Sequence, residues 1–228
     1  MRHQDMEYVE LKGMIADMSS TVSGMLRDSV KALVDRNSEL ARRVISRDEH
    51  VDTLDVEIDR HCMKLLALFE PKAADLRFIT AASRIIVDLE RIGDHCVGMC
   101  KDVIRVNEQP QIKPYIDLPK MGDIAARMVE DAVQCYLERQ SERALEVIQR
   151  DDQVDHLNNQ ILRELLTYLA EDLKKTQAIF ALMMIAKGLE RIADYATNIA
   201  ENVYFMVTGD VIRHVPLKEI ADETDSGN

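Results

Sequence analysis

The chain repeats itself, and that constrains its fold more than its composition does. Arg47-Asp48-Glu49-His50-Val51-Asp52-Thr53-Leu54 returns 103 residues later as Arg150-Asp151-Asp152-Gln153-Val154-Asp155-His156-Leu157. At the same offset Met25 falls on Met128 and Asp28 on Asp131. Leu89-Glu90-Arg91-Ile92-Gly93-Asp94 returns as Leu189-Glu190-Arg191-Ile192-Ala193-Asp194, now 100 residues away. The change of offset places a three-residue deletion in the turn between the second and third helices of the later copy. A repeat of about one hundred residues is far longer than a solenoid period, so two copies predict a pseudo-symmetric pair.

Apolar residues recur in steps of three and four throughout each copy, which predicts helices. The first helix spans about 6–34, carried by Val9, Met14, Met18, Val22, Met25, Leu26, Val30 and Leu33. Ser38 is a candidate cap for a second helix running to about Phe69, where Glu70-Pro71 stops it. The third runs from about Ala73 to Val106. A linker carrying Pro110, Pro114 and Pro119 spans residues 107–119. The pattern then repeats over about 120–137, 142–169 and 174–207, with Gly209 as the stop and a short, acidic, mobile tail from Glu219. The expected fold is all-α: two tandem three-helix bundles of long antiparallel helices, one in residues 1–109 and one in 110–228. Few aromatics (4%) and no tryptophan agree with helices rather than sheets.

The net charge of -12 argues against a nucleic-acid partner and against acidic membrane surfaces. Cys62, Cys96, Cys100 and Cys135 form no disulfide framework and read as buried thiols of a reducing compartment. No leader pattern and no apolar run of about 20 residues is present, so a soluble cytoplasmic protein without direct membrane insertion is expected.

Glu90 and Asp94 border an apolar stripe and lie about 40° apart around their helix; Glu190 and Asp194 do the same. Carboxylates so placed need a cation, a basic partner or water. Asp48 and Asp52 form a second four-residue pair, matched by Asp151 and Asp155. Asp55 and Asp59 continue the first stripe, but Asn158 and Leu162 replace them in the second. Pairs on adjacent antiparallel helices can offer four oxygen ligands to a divalent or trivalent ion: magnesium, manganese, iron or zinc. Asp28 and Asp131 are further candidate ligands. Ion pairing, with Arg91 and Arg191 satisfying nearby acids, is the competing explanation. Phosphate loops, nucleophile elbows, paired metalloprotease histidines and the di-iron Glu-x-x-His pattern are all missing, so no catalytic residue is assigned.

These acidic motifs, with Arg91-Ile92, Arg191-Ile192, Ala74-Asp75-Leu76-Arg77 and Asn198-Ile199-Ala200-Glu201, resemble the signatures of the PhoU family over nearly the whole chain. The resemblance implies a homodimeric, metal-binding regulator that is not an enzyme. It implies negative control of the bacterial phosphate-starvation response and of phosphate uptake, linking a phosphate ABC transporter to a membrane sensor histidine kinase. Such a protein would be cytoplasmic and recruited to the inner membrane by its partners. A metal-dependent hydrolase and a purely structural dimerising bundle are the alternatives.

Overall fold

A computed structural model describes residues 3–212, so the acidic tail lies outside the described residues. The elements are helices α1 His3–Val34, α2 Ser38–Ser46, α3 Asp48–Phe69, α4 Ala74–Asn107, α5 Asp117–Glu138, α6 Ser141–Glu171 and α7 Thr176–Thr208, with a 3-10 turn at Leu173–Lys175 before α7. The expected pair of pseudo-symmetric three-helix bundles is present: α1, α2/α3 and α4, then α5, α6 and α7.

Three local expectations need correcting. The second helix is interrupted at Arg47, where Arg47 N bonds to Val44 O instead of continuing the α-pattern. Asn37, not Ser38, caps α2, its Oδ1 accepting from Leu40 N at 3.0 Å. The linker ends at Ile116 rather than Pro119, because proline costs nothing in a first helical turn, where N–H groups have no intrahelical acceptor. The turns that end α1 and α5 are copies of one another. Arg36 and Arg139 both sit at positive φ (51° and 58°), and the next residue donates back to Ala32 O and Cys135 O, respectively.

The halves join along their third helices. α4 and α7 run antiparallel, as Arg77 reaches Met206 O at 2.9 Å near one end while Gly188 meets Met99 further along. His95 and Tyr195, equivalent in the repeat, touch ring to ring at 5.6 Å, which places the pseudo-twofold axis beside them. A second seam runs between α1 and α5, where Arg27 pairs with Glu130 and Gly122 admits Val30. Four helices thus enclose a shared centre, and α2/α3 and α6 flank it. Leu89, Ile92, Leu189 and Ile192 are fully buried in a core that draws on both halves. Each such side chain contributes about 1.5–3 kcal/mol, which accounts for the apolar members of the repeated motif. All four cysteines are buried and free.

Candidate metal centres

The first acid cluster lies where α3 runs antiparallel to α4. Asp48, Asp52 and Asp55 share one face of α3, while Glu90 and Asp94 share one face of α4. The two helices approach closely at Gly93, where an added Cβ would lie 3.1 Å from Asp48 Oδ1 and 3.4 Å from Val51 Cγ1. Burial, then the neighbouring Asp52 and Asp94, raises the proton affinity of Asp48. Burial, then Asp94, Asp55, Asp52 and Asp48, does the same to Glu90. Asp55 is raised by burial, Asp59 and Asp52. These mutual effects show that carboxylates from both helices share one field.

The second cluster forms between α6 and α7. Here Asp151 is pushed up to about 7, first by burial and then by Asp194, Asp155, Glu190 and Asp152. Burial and Glu190 raise Asp194 as well, against the opposing pull of Arg191 and Lys187. Two carboxylate oxygens, Asp151 Oδ1 and Glu190 Oε2, are buried without a hydrogen-bond partner. So are Asn158 Oδ1 and Thr197 Oγ1. Asn158 follows Asp155 by three residues and Thr197 follows Asp194 by three, so both lie on the acid-bearing faces. Sequence reasoning treated Asn158 only as a lost acid. Its carbonyl oxygen, buried without a hydrogen bond, makes it a candidate neutral donor, and only burial could reveal that.

The clusters differ in their basic neighbours. Glu190 is paired with Lys187, and Arg191 Nη1 lies 3.2 Å from Asp194 Oδ2. Among the described residues, no ion pair engages Asp48, Asp52, Asp55, Glu90 or Asp94, and Arg91 instead lies over the Tyr195 ring at 5.7 Å. Close ion pairing therefore applies to part of the second cluster, while in the first Lys101 opposes the rise at Asp48 without forming a close pair. Asp28 and Asp131 each hold the arginine that precedes an acid motif: Arg47 Nη1 reaches Asp28 Oδ2 at 2.7 Å, and Arg150 pairs with Asp131.

Both clusters border the α4–α7 seam. His95 feels Asp94 from one and Glu190 from the other, while burial and then Arg191 hold its proton affinity below the ordinary imidazole value. His95 therefore stands between two acidic fields with its proton affinity lowered.

Every donor in these clusters is oxygen, and the buried oxygens of Asp151, Glu190 and Asn158 that lack a hydrogen bond are ones that a cation could satisfy. The residues present fit hard divalent or trivalent ions. Each cluster is an open array, since no three of its carboxylates bring ligand atoms within 4.8 Å of one another among the described residues.

The PhoU domain family profile matches residues 15–103 and 118–203, one copy per half. A phosphate-specific transport system accessory protein PhoU homolog of Zymomonas mobilis is 39% identical over 87% of this chain and 84% of its own length. The corresponding protein of Aquifex aeolicus is 37% identical, with 93% of this chain and 96% of its own length covered. The crystal structure of PhoU from Pseudomonas aeruginosa superposes with a TM-score of 0.86 at 32% identity, covering 90% of this chain and 99% of that one. PhoU from Streptococcus pneumoniae gives 0.84 at 28% identity, covering 92% and 99%. Family profile, relatives and fold agree: the chain belongs to the PhoU family.

Proposed function

We infer that this protein is a non-enzymatic accessory of a phosphate-specific transport system. In this reading it represses the phosphate-starvation response and limits phosphate uptake, linking the phosphate ABC transporter to a membrane sensor histidine kinase. The observation that carries it is the match of both halves to the PhoU domain, with relatives named as transport accessory proteins. A homodimer located in the cytoplasm and recruited to the inner membrane by those partners completes the picture. Among the described residues no helix is long and apolar enough to cross a membrane.

The halves 1–109 and 110–228 each contribute one metal centre. Asp48, Asp52, Glu90 and Asp94 would hold ions in the first, and Asp151, Asp155, Glu190 and Asp194, with Asn158, in the second. A bound iron, zinc, manganese or magnesium ion neutralises the clustered charge. Joined through such an ion, the carboxylates would tie α3 to α4 and α6 to α7 beside the seam, where occupancy can bias the surface offered to a partner.

The role is tested in the source cell by deleting the gene and following a phosphate-starvation reporter at high phosphate. Derepression that is reversed by the wild-type chain supports the role; an unchanged reporter overturns it. Metal content is measured on protein purified without chelators, beside the Glu90→Gln/Asp94→Asn and Glu190→Gln/Asp194→Asn variants. Each double variant should lose one cluster's metal. Equal content in all three proteins would refute the assignment.

A further inference from the structure

We propose a third metal site, of a different chemical kind, at the pole where α1 begins and α3 ends. Its ligands are Glu7, Glu10 and His61, and its cation is of the zinc and cobalt class. Among the described residues this is the one group of three metal-capable side chains with ligand atoms within 4.8 Å of one another. Glu7 is 6% exposed and His61 8% exposed, so the carboxylate and imidazole face each other out of water. His61 Nε2 lies 3.6 Å from Glu7 Oε2. Two ligands of a tetrahedral zinc ion, each about 2.0–2.1 Å from the metal, are about 3.4 Å apart. Glu10 lies one turn beyond Glu7 on the same face of α1 and brings the third ligand from the solvent side. The set of one nitrogen and two oxygens leaves a fourth position open to water.

A buried carboxylate needs a cation, and Lys64 now supplies it, with Nζ 2.8 and 2.6 Å from the two Glu7 oxygens. The Lys64 side chain is 45% exposed, so it can swing into solvent when a metal takes its place. The other half shows what a permanently neutralised version looks like. Counting 103 residues on, Glu10 and His61 fall on Lys113 and Glu164; Lys113 lies in the linker before α5 rather than in a helix, yet it pairs with Glu164 while only 9% exposed. There the cation is built into the chain. In the first half, acid replaces that lysine and imidazole replaces its partner, leaving a donor set that a borderline metal prefers. Metal binding uses the Nε2 lone pair. In the metal-free protein Nε2–H donates to Glu7 O at 3.0 Å; metal binding breaks that bond and requires the other neutral tautomer, with the ring proton on Nδ1 and the Nε2 lone pair on the metal.

The site stands independently of the acid clusters, and its nitrogen ligand separates it from them in the test. Full-length protein is titrated with Co²⁺ alone, and its visible absorption is recorded. Four-coordinate cobalt with an imidazole ligand absorbs many times more strongly than cobalt in the all-oxygen clusters. The strong band should appear with one equivalent, persist in Glu90→Gln/Asp94→Asn, and vanish in His61→Gln. Lys64→Met removes the competing ammonium and should tighten Co²⁺ binding about tenfold. This variant keeps the test decisive if His61→Gln fails to fold. No strong band, a band that survives His61→Gln, or unchanged affinity in Lys64→Met would each overturn the proposal.

Discussion

Replacing Asp151 by asparagine should stabilise the metal-free protein and weaken the metal-loaded one. The folded chain lifts the Asp151 carboxyl from its ordinary 3.8 to about 7, through burial and then through Asp194, Asp155 and Glu190. An acid with a raised folded-state pKa binds a proton in the native state that the unfolded chain has already released. Stability from this group is therefore full at low pH and is lost as pH rises from about 4 to 7. A rise of about three units corresponds to about 4 kcal/mol before screening. Solvent reaches part of this cluster, and about 2 kcal/mol is the realistic share. Asparagine keeps the shape, removes the charge and brings an N–H₂ donor to its acidic neighbours.

With chelator at pH 8, Asp151→Asn should melt roughly 4–8 °C above wild type, and the advantage should be smaller at pH 5. Saturating cation should reverse the order. A ligand at one hundred times its Kd adds about 2.7 kcal/mol to the wild type, and the variant forfeits most of that gain. Thermal melts followed by circular dichroism, with chelator and with Mn²⁺, give all the comparisons needed. Equal melting temperatures in chelator at pH 8, or a variant less stable there, would refute the claim that like-charge crowding strains this cluster.

Two further substitutions test the seams between the halves. Gly122→Ala places a methyl 2.6 Å from Val30 Cγ2, and the branched Val30 cannot swing aside as an unbranched chain could. Overpacking of about 1–3 kcal/mol should outweigh the helix propensity gained, so urea denaturation should show a less stable protein; a more stable one would place α1 and α5 further apart. Arg191→Gln removes a charge that disfavours protonated His95, so the His95 titration followed by NMR should move to higher pH. A midpoint that stays put would show that Arg191 does not act across the α4–α7 seam.

Helix positions were legible in the sequence because the apolar steps of three and four are long and nearly unbroken, and because Pro71 and Gly209 mark stops. The interruption at Arg47 was not. Arg150 makes the same pairing with an α1-type aspartate inside the unbroken α6, so that ion pair does not cause the break. The α4–α7 seam was also hidden, since a face that packs on the opposite half carries the same apolar residues as one that packs within its own. The acid pairs were legible because duplication raised them above the many carboxylates of ordinary solvent-facing helices. The same reliance on duplication explains what was missed. Asn158 lost its meaning by replacing Asp55, and His61, with Glu164 rather than a histidine at the 103-residue offset, reads from sequence as a structural or surface residue. A repeated acid shows what both halves must neutralise. An unrepeated one shows where the halves have diverged: Lys113 brings its own positive charge to Glu164, whereas Glu7, Glu10 and His61 together demand a cation from outside the triad. Aligned positions that differ in charge or donor type are therefore where two such similar bundles acquire different tasks.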